Sequence, residues 1–235
     1  MTLALAALAV AVGAAAQSIS GIGFALVGGP LLFTVFGARE GVRVAVVLSM
    51  LVNIGVLARE HRSVMVRAVS PVLVAALVAT PFLAWALGDV HPRALRAAAG
   101  AVVVVGAALV AAGRTRDTGA IGGVVAGLAS ATMNVLASAG GPAVAVYATG
   151  AGWDPLRLRA TLQAYFLCLN IVTVFTLGPP HWSWTQAIVL VVCLVAGAAT
   201  GALLSTRVSA ILARRVTLSL AAAGGLAVVI AAAVG

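Results

Sequence analysis

Eight apolar runs follow one another along this chain, at approximately 3–20, 42–58, 66–87, 94–112, 118–137, 160–177, 185–206 and 214–234. Each is long enough to cross about 30 Å of hydrocarbon as a helix. The runs are continuous rather than alternating, which argues against a membrane β-barrel. A soluble domain is a poorer fit, because a chain that is 63% hydrophobic and 8% charged has too little polar sequence to cover a surface. The expected fold is therefore an all-α integral membrane protein. The first run resembles a signal peptide, but Thr2 stands where a positive residue would be needed, so it is read as the first span.

Two shorter apolar pieces, 22–37 and 139–150, each follow a glycine phrase. The first phrase runs Ser20-Gly21-Ile22-Gly23-Phe24, then Gly28-Gly29-Pro30, with Asn53-Ile54 further on. The second runs Ser138-Ala139-Gly140-Gly141-Pro142, with Asn170-Ile171 further on. Gly-Gly-Pro recurs at an offset of 112 and Asn-Ile at 117, so the copies differ by a five-residue insertion. Glycine and proline break helices. A matched pair of broken apolar segments in the two halves of a membrane protein points to a transporter's substrate site.

The polar joint 113–119 divides the chain into a first repeat, 1–113, and a second, 114–235. If the short pieces count as spans there are ten, five per half, and the halves are inverted. If they are re-entrant there are eight, four per half, and the halves are parallel. Counting Arg, the ten-span arrangement puts Arg59, Arg62, Arg67, Arg114, Arg116, Arg157, Arg159, Arg207, Arg214 and Arg215 on one side, against four on the other. The eight-span split is nine to five. The positive-inside tendency favours two inverted repeats of about five segments, eight full spans plus two short broken helices. Both arrangements put both termini outside the cytoplasm of a bacterial inner membrane.

In hydrocarbon, a broken helix is tolerated only where its freed backbone groups face protein or a watery cavity. The start of each resumed helix offers N–H donors and a partial positive charge, which suit an anion without any lysine. The expected substrate site is thus where Gly21, Gly23, Gly28, Gly29 and Pro30 meet Gly140, Gly141 and Pro142. Uncharged polar residues gather near both phrases: Gln17 and Ser20, Asn134 and Ser138, then Asn53 and Asn170 at matching places, with Gln163 two turns before Asn170. Amides and hydroxyls can replace an anion's water shell. For Gln163 the rival is a structural role inside the helix, and for the asparagines an interhelical bond. Tyr147 is equally a site wall or an interfacial anchor. Arg43 and Arg159 open corresponding spans beside Glu40 and Asp154, as gates or as locally paired interfacial charges.

Other function classes fit poorly. All fourteen basic residues are Arg, scattered in twos and threes between spans, which matches lipid headgroups and membrane orientation rather than nucleic acid. A Gly-x4-Gly-Lys phosphate loop cannot exist without lysine. No acid lies inside a span, so a midplane carboxylate proton relay is not expected. Three dispersed histidines and two cysteines inside apolar runs supply neither a metal site nor a nucleophile pair, so neither enzyme activity nor a cofactor is expected. An anion channel, or the membrane subunit of a larger assembly, is the alternative to a carrier. Base rates favour a homodimer for any assembly.

The two phrases, their order and the chain length resemble the sulfite exporter TauE/SafE family of membrane permeases. Ser20 through Val27 leading to Pro30-Leu31-Leu32 is similar to that family's first glycine motif. Gly127, then Gly140-Gly141-Pro142 through Tyr147, is similar to its second. Many members carry longer glycine runs; here Ile22-Gly23-Phe24 and Ser138-Ala139 interrupt them. The resemblance implies a secondary transporter for a small anion, a sulfur oxyanion or organosulfonate such as sulfite, thiosulfate or sulfoacetate.

Overall fold

A computed structural model describes the backbone of residues 2–20, 24–112, 119–204, 207 and 210–234. Among these the chain is helical, with no strand. The helices are α1 (Thr2–Ser20), α2 (Gly29–Phe36, entered through a π-helical segment Phe24–Gly28), α3 (Ala38–Glu60), α4 (Val66–Ala86), α5 (Pro92–Ala112), α6 (Gly119–Ala137), α7 (Gly141–Gly150), α8 (Pro155–Leu177), α9 (Trp184–Leu204) and α10 (Ala210–Val234). Eight are long and apolar enough to cross a membrane, and Phe24–Phe36 is a shorter apolar helix. Helix is the form that pairs every peptide group within its own segment, as hydrocarbon requires. The exterior is correspondingly apolar, with Phe82, Trp85, Phe175 and Trp184 more than two-thirds exposed, while Asn53, Asn134 and Asn170 are each 2% exposed.

Hydrogen bonds sort the helix ends into two faces. On the first, Arg39 donates to the carbonyls of Leu87, Gly88 and Val90, and Glu40 receives Arg43 (3.1 Å) and the backbone N–H of His181. The second face joins Met65 N–H to Thr161 Oγ1 (3.0 Å), Arg157 to Ser63 O (3.2 Å) and Tyr147 to Gly119 O (3.3 Å). The α1–α2 pair is a hairpin: Gly13 lies against Phe24 and Gly28, and Gly28 against Ala9. Its open end belongs to the first face, since Leu3, Phe36 and Trp182 share one apolar cluster. The α6–α7 pair is also a hairpin, with Gly123 beside Tyr147 and Gly140 beside Ser130, and it opens on the second face. The two hairpins therefore enter from opposite faces, and their apices lie inside.

The sequence halves are not the packing units. One core joins α1, α2 and α3 to α9, through Val10, Leu32, Leu48 and Leu190. Another joins α6, α7 and α8 to α4, through Ala126, Val144, Tyr165 and Val72. Each core thus takes its fourth helix from the other half. Small residues make this exchange close. Gly197 and Gly201 of α9 lie on the backbone of Ala11 and Ala15, and Gly127 of α6 on that of Val72. Dispersion, which needs contact, is what holds helices together in lipid. A third core, built from Ala99 and Val103 of α5 and Ala221 of α10 with Leu26 and Ala139 from the two apices, lies between them.

Candidate functional site

The apices share the wall of an internal cavity of about 50 Å³. A buried water needs roughly 10–15 Å³ by this measure, so the space suits a solute of a few heavy atoms. Gln17 at the end of α1 and Phe24, Ala25 and Leu26 of the π segment form one part of the wall. Ser49, Val52 and Asn53 of α3, Asn134 of α6, Ser138 through Pro142, and Phe166 and Asn170 of α8 complete it. No described residue in this wall is charged.

The second apex is built by a local backbone rule. Helix α6 stops after Ala137 because Ser138 turns left-handed, at φ +53°, alone among the described non-glycine residues. That turn still pairs the backbone: Ser138 N–H donates to Asn134 O (2.7 Å) and Ala139 N–H to Met133 O (3.3 Å). Ser130 Oγ donates to Gly140 O at 2.8 Å. A Cβ on Gly140 would lie 2.6 Å from that hydroxyl oxygen, so no side chain fits there. Helix α7 then resumes with Pro142 in its first turn, where its missing N–H leaves nothing unpaired. Its start faces the cavity.

The first apex is longer. Gly28 follows Gln17 by eleven residues, where Gly140 follows Asn134 by six, and Phe24–Gly28 winds as a π-helical turn at the far end of that stretch. Such turns absorb extra residues in a helix and are frequent at functional sites. Gln17 Oε1 accepts from Phe24 N–H at 3.1 Å, tying the end of α1 to the start of the resumed helix. Gly21 and Gly23 lie outside the described residues, as does the side chain of Ser20.

The asparagines differ in their bonding. Asn134 Nδ2 donates to Asn170 Oδ1 (3.2 Å) and to Thr173 Oγ1 (3.0 Å). Asn53 Nδ2 and Ser138 Oγ have no hydrogen-bond partner among the described residues, although both are buried. An unsatisfied buried donor costs about 1–3 kcal/mol, so this cavity holds two groups whose bonding the described residues leave incomplete.

Several residues expected at the site stand elsewhere. Gly28, Gly29 and Pro30 lie behind the wall: a Cβ on Gly28 would come within 3.0 Å of Ala9 O, one on Gly29 within 3.1 Å of Phe33, and Pro30 abuts Gly224. Gln163 is 1% exposed and outside the cavity wall, with Oε1 unpartnered among the described residues. Tyr147 packs edge-on against Trp153 near the second face, the anchor arrangement. Arg43 belongs to the first face, beside Glu40 and His181, while Arg159 reaches Glu60 at 3.6 Å on the second. Ser49, Phe166 and Thr173 were missed. Ser49 and Phe166 each sit one helical turn before Asn53 and Asn170, at the same 117-residue offset, a signal the sequence does carry.

Comparison with known families matches the chain to the family described as Sulfite exporter TauE/SafE, over residues 5–228. Neither the curated proteins nor the solved structures contain a significant match to the chain. The match covers nearly the whole chain, which therefore belongs to the TauE/SafE family, a family of membrane permeases for sulfur anions.

Proposed function

We propose that this TauE/SafE member is a secondary carrier that binds a small sulfur oxyanion or organosulfonate where the two hairpin apices meet. The observation that carries the reading is a neutral, donor-lined cavity holding two donors without a partner among the described residues, Asn53 Nδ2 and Ser138 Oγ, inside an otherwise apolar protein. Its size favours sulfite or thiosulfate over the larger sulfoacetate. Buried polar groups in membranes are costly and mark solute pathways.

The carrier is read as two inverted repeats, 1–113 and 114–235, that rock about the site. The exchange of α4 and α9 between the cores supports this, as does the entry of the hairpins from opposite faces. The Arg-rich second face is the cytoplasmic one under the positive-inside tendency, which puts both termini on the far side of the plasma membrane. Arg43 and Arg159 lie at opposite ends of the path and act as gates or guides.

The test is counterflow in proteoliposomes holding this protein alone, with labelled sulfite, thiosulfate and a small organosulfonate. Saturable exchange that Asn53→Ala weakens supports the carrier. Non-saturating flux points to a channel, and absence of all flux removes the reading.

A further inference from the structure

We propose that the cavity selects singly charged anions, rejecting both the dianion and the neutral solute of the same shape. This rests on reading the cavity as an anion site. Two helices begin at its wall. One runs Phe24–Phe36, opening with the π turn, and the other is α7, Gly141–Gly150. A helix start carries the equivalent of roughly half a positive charge, so the pair offsets about one negative charge. Asn53 Nδ2 and Ser138 Oγ add donors, and the 2%-exposed Asn53 amide, without a partner among the described residues, is the independent sign that a guest completes this wall.

Among the described residues of the wall nothing meets a second charge. The desolvation cost of an ion grows as the square of its charge, while the field that receives it here is fixed. Among the described residues no arginine lines the cavity, and three are engaged at the helix ends: Arg39 with three backbone carbonyls, Arg43 with Glu40 and His181, Arg159 with Glu60. A neutral solute can accept the same hydrogen bonds but has no net charge for the helix starts to stabilise. With no carboxylate among the described residues of the wall, a titrating oxyanion must bring its own proton, so of the two solutes that fit by size the charge rule admits hydrogensulfite and excludes thiosulfate, a dianion at neutral pH.

Three compounds of one tetrahedral shape isolate charge from size: dimethyl sulfone, methanesulfonate and sulfate. Their binding to the purified protein is compared by calorimetry at neutral pH and constant ionic strength. Methanesulfonate is expected to bind at least about tenfold more tightly than either of the others. Inorganic phosphate controls for the methyl group, since raising the pH turns its monoanion into a dianion of the same shape; its affinity should fall. Equal or tighter binding of sulfate, or phosphate affinity that rises with pH, overturns the monoanion rule and leaves the anion site standing. Sulfone binding equal to that of methanesulfonate, or no binding by any probe, overturns both.

Discussion

The side-chain amide of Asn134 donates to the side-chain oxygen of Asn170 at 3.2 Å, across the α6–α8 contact. The same amide reaches Thr173 Oγ1 at 3.0 Å, so one NH2 group is fully used in holding two helices together. The residue that matches Asn170 in the first half, Asn53, has its amide nitrogen unpartnered among the described residues. Two asparagines that look equivalent in sequence, both in the cavity wall, thus differ in bonding: Asn170 is tied to Asn134, and Asn53 Nδ2 is tied to no described residue.

That division predicts opposite balances of affinity and stability. Asn53→Ala removes a donor that no described protein group uses. It should weaken sulfite binding roughly 10- to 100-fold with little change in melting temperature. Asn134→Ala strands its partners and should cost about 1–3 kcal/mol of stability besides any loss of affinity. Thermal melts and binding isotherms on both variants check this; a destabilised Asn53→Ala protein with unchanged affinity would reverse the assignment.

Ser138 offers a sharper separation. Its left-handed backbone, φ +53°, is one that glycine adopts freely. Ser138→Gly should therefore stabilise the protein by about 1 kcal/mol while lowering anion affinity, because it relaxes the turn and deletes the hydroxyl. Stability and affinity moving in the same direction would show that the serine serves only the turn.

Gly100 of α5 and Gly225 of α10 meet face to face. A Cβ on the first would lie 2.7 Å from Gly225 O, and one on the second 2.8 Å from Gly100 O. Each single change to Ala should cost about 1–3 kcal/mol by prying the helices apart. The double variant should cost clearly less than the sum, since one wedge makes room for the other. Additive losses would mean that the crossing does not open as a unit.

The arginines at the two ends should affect rate rather than binding. Arg43→Gln and Arg159→Gln leave the cavity wall intact, and partly exposed ion pairs contribute less than about 1 kcal/mol. Equilibrium affinity should stay within about twofold while the exchange rate falls. A large change in affinity would instead place these charges in the binding step.

Much of the architecture was legible in the residues. Hydropathy and run length located the spans to within a few residues of α1 and α3 through α10, and the second glycine phrase located the turn between α6 and α7, whereas Gly28-Gly29-Pro30 lies within the helical stretch Phe24–Phe36. These are properties of a segment on its own: every peptide group in lipid must be paired locally, so an apolar run becomes a helix. The recurring Asn-Ile pointed to the cavity wall for the same reason, since an amide inside an apolar run has to face inward.

Which amide is free and which is tied was decided only by tertiary structure. It depends on where α6 crosses α8, and the partner of Asn134 is set by a distance no spacing records. The same holds for Gly28, Gly29 and Pro30, whose place behind the wall follows from the packing of α2 on α1. It holds too for Gly123-x3-Gly127 and Gly197-x3-Gly201, whose spacing alone is indistinguishable from chance in a glycine-rich chain. The exchange of α4 and α9 between cores is likewise invisible in the segments themselves. Local pairing determines that these helices exist; close packing, which acts only between surfaces already brought together, determines which of their polar groups remain for a guest.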